Sequence, residues 1–231
     1  MAHELNIPNG FLTGNQSTLG AGNGVSPIQF TLTGSVLESS VDAGDLEVDS
    51  NGFFYYTQQN LSRQVIDCEQ LITLTTAYTT AGGTTALQKL FNSPTNGTLT
   101  VAGNTSYFFE CFFTLSSMSA TSGTFSFGLG GTATYTRVLY NVTGLKTTAI
   151  TAQAAITSIY TVATSSVVGG AANTSTLGFA YVKGKIVIGT GGTIIPSFAT
   201  SVAAASVVGN DSYFRITPIG LNTVQSVGQW S

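Results

Sequence analysis

The chain has 231 residues, 42% of them hydrophobic and only 7% charged, with a formal net charge of −3. Ordinary hydrophobicity with so little charge excludes a broadly disordered chain. No apolar run approaches the roughly 20 residues of a spanning helix, so no membrane partner is expected.

The charges are unevenly placed. Residues 1–70 hold eight acids and one base, a net −7, while residues 71–231 hold six bases and two acids, a net +4. Six bases dispersed over that length form no basic stripe, so a nucleic-acid partner is not expected either. The N-terminus, MAHELNIPNG, lacks the basic and apolar regions of a signal peptide. Two cysteines, Cys68 and Cys111, make no disulfide framework, and whether they pair is left open.

Residues 1–25 read as an extended arm, rich in Gly, Asn and Ser (GNQSTLGAGNG), whose Leu5, Ile7, Phe11 and Leu12 could anchor on a neighbour. Residues 26–66 form a hairpin region. SPIQFTL is strand-like, and in DLEVDSNGFFYYT two strand patterns flank a turn at Asp49–Gly52, with Asn51-Gly52 as the hairpin signal. Residues 67–231 read as a jelly-roll β-sandwich. Within them, 68–92 is the one stretch expected to be non-strand, with a short turn near Ala86–Phe91.

Beyond Pro94 the pattern is consistently β. In YFFECFFTL, Tyr107, Phe109, Cys111, Phe113 and Leu115 share one face, while Phe108, Glu110 and Phe112 share the other. Both faces are mostly apolar, so this strand is expected to be buried on both sides, in a sandwich or against another subunit. TFSFGLG places Phe125, Phe127 and Leu129 inward, and KGKIVIG places Ile186 and Ile188 inward with Lys183 and Lys185 outside. TATYTRVLYNV, TSIYTVATSSVV and SYFRITPIG supply further strands, separated by turns at intervals of about 8–15 residues. The fold class is all-β, a jelly-roll sandwich with an N-terminal arm.

Candidate chemistry is sparse. His3 is the one histidine, in the arm and without an evident rigid partner, so neither catalysis nor a zinc site is expected. The cluster Asp42, Asp45, Glu47, Asp49 lacks the Gly and bidentate Glu of a calcium loop and reads as a charged strand edge, with an adventitious or interface cation as the alternative. The strings GLGGT at Gly128 and GTGGT at Gly189 read as turns, because neither opens a helix or carries the following Lys-Ser/Thr of a phosphate loop. No cofactor is implied. Glu110 and Arg215 each interrupt an apolar strand. An unpaired buried charge is costly, so they are expected to meet each other or a symmetry mate near a subunit interface. Tyr55, Tyr56, Tyr135, Tyr140 and Trp230 could offer glycan platforms, although aromatics in sheets more often fill cores.

Three segments taken together resemble the head domains of tailed-bacteriophage fibre and virion-surface proteins. The first is SPIQFTLTGSVLESSVDAGDLEVDSNGFFYYTQQNLSR, with Pro27, Phe30, Ala43, Gly44, Glu47, Asp49, Tyr55, Thr57 and Arg63 at the matching positions. The second is TLTVAGNTSYFFECFFTLS, with Thr105, Tyr107, Phe109 and Glu110. The third joins GTIIPSFATS to VVGNDSYFRITPIG, with Gly192, Thr193, Ile194, Pro196, Ser212 and Tyr213. The resemblance spans Pro27 to Gly220. It implies a homotrimeric jelly-roll similar to the tumour-necrosis-factor-like fold, without enzymatic activity, with the outer face of YFFECFFTL on the three-fold axis. The chain departs from that family in carrying only a short arm before Pro27, with no long shaft. The expectation is therefore a capsid decoration or cement protein on the virion surface, partnered by the major capsid protein or other virion proteins. The interface candidates are Leu5, Ile7, Phe11, Leu12, Phe108, Glu110, Phe112 and Arg215. The alternative is a receptor-binding tail fibre or fibre tip that recognises host surface glycan or protein.

Overall fold

The computed structural model describes residues 43–48, 54–59, 63–66, 69–82, 84–92, 97–119, 123–145, 155–161, 163, 166–170 and 178–222. The arm, the SPIQFTL segment, Cys68 and Trp230 lie outside them. Among the described residues the architecture is all-β, with no α-helix and with every strand pair antiparallel.

The expected hairpin is present. β1 (Leu46–Val48) pairs β2 (Phe54–Thr57) with Glu47 opposite Tyr55, and β3 (Arg63–Val65) completes a three-stranded sheet.

The larger sheet is built on β8 (Thr105–Ser116), whose alternating aromatics give it one continuous apolar face. On one edge of β8 lie β13 (Gly178–Ile188), then β10 (Tyr135–Leu145), then β11 (Ala155–Tyr160). On its other edge, β16 (Tyr213–Leu221) pairs Thr105–Phe112, and β15 (Val207–Val208) pairs Leu115–Ser116. β4 (Gln70–Thr73) flanks β16, and β5 (Tyr78–Thr79) flanks β15.

The second sheet runs β12 (Ser166–Gly170), β9 (Thr124–Gly131), β14 (Gly192–Thr200). β6 (Gln88–Lys89) and β7 (Leu99–Val101) share the far edge of β14. Pro196 falls between the two segments, since β7 pairs as far as Ile194 and β6 resumes at Ser197. Its missing N–H therefore breaks no ladder bond on that edge.

The two sheets face each other across one core, consistent with a β-sandwich. Tyr107, Phe109, Cys111, Phe113 and Leu115 of β8 are all buried, as are Phe125, Phe127 and Leu129 of β9. Phe127 stacks on Phe109 and Phe113 and meets Tyr140 edge-on, with ring centroids 5.7–6.3 Å apart. It joins β8, β9 and β10, so Phe127→Ala would damage this core by about 3–5 kcal/mol, the cost of truncating a buried Phe. Ile186 and Ile188 are buried and Lys183 and Lys185 exposed, as the alternation requires. Cys111 is a free, fully buried thiol, so it makes no bridge.

Two expectations are corrected. Residues 68–92, read as non-strand, contain β4, β5 and β6. Each is two to four residues long and is stabilised by strands far along the chain (β16, β15 and β14), so no local periodicity marks it. GLGGT, read as a turn, belongs to β9 up to Gly131; the chain turns only after it, whereas GTGGT does join β13 to β14. At φ +109°, Gly131 ends the strand so close to β14 that a Cβ would lie 2.1 Å from the Thr193 carbonyl oxygen. Within one chain the outer side of β8 is left partly open, with Phe108 56% exposed, so the sandwich alone does not cover both faces of that strand.

Candidate functional site: the outer face of the larger sheet

Strand alternation sends Phe108, Glu110, Phe112 and Thr114 of β8 away from the core, and the register aligns outward residues of neighbouring strands beside them. Glu110 lies between Lys183 of β13 and Arg215 of β16, with Leu71 of β4 beyond Arg215. Phe112 lies between Tyr181 and Tyr213. Phe108 lies opposite Lys185, and Lys185 opposite Leu139 of β10.

Glu110 is the hub, 8% exposed although it points outward. Tyr213 donates its hydroxyl to Oε1 at 2.6 Å, and Arg215 donates Nη2 to Oε2 at 3.1 Å. Burial alone would raise the carboxyl's pKa. Hydrogen bonds from Tyr213, Tyr181 and Arg215, with the Arg215 charge, outweigh that and hold it below the ordinary value. Reciprocally, burial and the bond to Glu110 push the Tyr213 phenol up to about 12. Arg215 also faces Glu69, Nη1 to Oε2, at 3.7 Å. Burial, and secondarily the Glu110 charge, raises the Cys111 thiol well above its usual range, so it is a poor nucleophile.

Around the hub the face is aromatic and aliphatic. Phe112 packs on Phe179 and stacks on Tyr213, with centroids 6.3 and 6.2 Å away. Among the described residues Leu71, Phe108 and Leu139 are the three most exposed large hydrophobic side chains, at 57%, 56% and 54%, and all three lie on this face. Two open grooves flank the hub. One of about 500 Å³ is lined by Glu69, Leu71, Thr73, Glu110, Tyr213 and Arg215, and one of about 330 Å³ includes Phe108, Leu139, Lys183 and Lys185 in its walls.

A carboxylate held ionised by three donors is a poor general acid, and its lowered pKa makes it a weak base at neutral pH. The arrangement suits contact better than turnover. Of the sequence candidates, Phe108, Glu110, Phe112 and Arg215 come together here, and Glu110 and Arg215 meet each other. Leu5, Ile7, Phe11 and Leu12 lie outside the described residues, as do Asp42 and Asp49 of the acidic cluster. Tyr140 is buried, which removes it as a glycan platform. Sequence reasoning missed Tyr181, Tyr213, Glu69, Leu71 and Leu139. Tyr213 lies two residues before Arg215, hence on its face, and was legible; the other four reach the site through pairings that the sequence does not display. No protein-family model matches the chain, and neither a curated protein nor a solved structure matches it.

Proposed function

We propose that the protein is a non-enzymatic structural component of a tailed-phage particle, a jelly-roll that assembles as a homotrimer and decorates the capsid. The observation that carries self-assembly is the outer face, which holds the three most exposed large hydrophobic side chains among the described residues, on either side of a paired charge. Exposed apolar side chains concentrated on one sheet face mark a contact site.

The strand pairing supports the jelly-roll reading. β4 pairs β16, β6 and β7 pair β14, β8 pairs β13, and β9 pairs β12, so the chain folds back on itself in nested order. Successive nested pairs alternate between the two sheets, as in a long hairpin rolled into a sandwich. The β10–β11 pair is then an insertion that widens the larger sheet. The virion assignment is supported by the resemblance of Pro27–Gly220 to fibre-head and virion-surface domains.

Antibody-gold labelling of intact particles tests location, and light scattering of the purified chain tests assembly. The expected results are gold over the head and a mass three times the 23.8 kDa chain. Label confined to the tail would replace decoration with receptor binding. Particles without label would end the virion assignment.

A further inference from the structure

We infer that copies of this chain meet head to tail, with Leu71 and Glu69 of one copy seated in the Phe108–Leu139 groove of the next, where Lys183 and Lys185 receive the carboxylate. This rests on the self-association proposed above and specifies its contact.

The two halves of this contact lie on opposite flanks of one sheet face. Leu71 is on β4, whose strand pairing among the described residues is with β16 alone. It stands more than half exposed on that margin, with Glu69 two residues before it and therefore on the same side. The receiving groove lies on the β13–β10 side. Its volume of about 330 Å³ accommodates a leucine side chain, and its walls include Phe108 and Leu139 with Lys183 and Lys185.

Within one chain the halves cannot meet, because β16 and β8 lie between β4 and β13, setting them about 14 Å apart. Between copies they are complementary in shape and in charge. Lys183 and Lys185 are exposed and form no ion pair among the described residues. Glu69 has one at 3.7 Å, between side chains 47% and 39% exposed, and such surface pairs are weak and readily exchanged. A two-fold contact of groove on groove would instead crowd four lysines together, and like charges juxtaposed at an interface are costly. A head-to-tail contact repeated by rotation closes into a ring, which suits a trimer.

Charge exchange tests this on the full-length protein, by light scattering over a dilution series. Glu69→Lys, and separately Lys183→Glu with Lys185→Glu, should each weaken assembly by about tenfold or more, since one misplaced interfacial charge costs upwards of about 1.4 kcal/mol. All three substitutions in one chain should restore assembly to within about threefold of the parent. A triple variant no better than its parts, or lysine reversal without effect on an oligomeric parent, overturns the head-to-tail contact. A parent that is monomeric throughout overturns the underlying trimer proposal instead. Cross-linking gives a second readout that is independent of charge. In a Cys68→Ser background, Leu71→Cys with Leu139→Cys should give covalent oligomers under mild oxidation, and either cysteine alone should not. Cross-linking by a single cysteine would favour the two-fold arrangement and overturn the inference.

Discussion

Glu110 carries a pH dependence whose sign follows from its surroundings. Its folded pKa is lowered, so its contribution to stability is complete above the ordinary 4.5 and is lost as pH falls through the folded value. Tyr213 acts at the other limit. Its phenol is raised from 10.0 to about 12, so its contribution holds below 10.0 and is lost as pH rises through about 12. Glu110→Gln removes charge-assisted bonds and should lower stability by about 1–3 kcal/mol at neutral pH. Measured as Tm against pH, the gap between parent and variant should be flat from about pH 5 to pH 9 and close below about pH 4.5. A gap as wide at pH 3 as at pH 7 would show that the carboxylate's charge is not its source. At this scale the sequence was informative. A lone Glu and a lone Arg in apolar strands each implied a partner, either one another or a symmetry mate, because a buried charge must be satisfied. The tyrosines that complete the hub were harder to see, since a Tyr in a strand is as readily a core residue.

At the level of elements, long strands were legible and short ones were not. β8, β9 and β13 carry their alternation over eight to twelve residues, which fixes their faces without reference to partners. β5 and β6 have two residues each, and nothing local distinguishes them from loop. Pro218 illustrates another limit. It lies in β16 beyond Ile216, where pairing with β4 stops, and a register shift against β8 follows before Gly220. The sequence shows a proline but not the edge that tolerates it. Gly184 on β13 is a position where a small change would disrupt strand pairing. A Cβ there would lie 2.3 Å from the Leu139 carbonyl oxygen and 2.4 Å from the Tyr140 Cβ, so β10 and β13 would have to separate. Gly184→Ala should therefore destabilise by about 1–3 kcal/mol, read by chemical denaturation. An unchanged denaturation midpoint would mean that the two strands can part without cost.

For the whole molecule, composition defined the class and left the order of strands open. An all-β fold follows from strand patterns and turns. The nested pairing depends on contacts between residues more than a hundred positions apart, such as Arg215 with Glu110. Such pairing cannot form until the last strand exists, so removing residues 213–231 should leave β4 without its partner and open an edge of β8. The expected outcome is loss of soluble protein and of a cooperative thermal transition. A soluble truncation that melts cooperatively would show that β16 is dispensable to the fold. The imbalance of −7 in residues 1–70 against +4 in the remainder is legible in the sequence, whereas the placement of Lys183 and Lys185 beside an apolar groove is not.

The pairing of β4 with β16 has a practical consequence. The two strands run antiparallel, with Gln70 opposite Ile216, so the chain enters the sandwich at Gln70 and leaves it past Leu221 on the same side. The connections at 74–77 and 209–212 lie at the opposite side. A peptide joined to the sandwich at Gln70 or just past Leu221 would leave from that one side, away from the connections at 74–77 and 209–212.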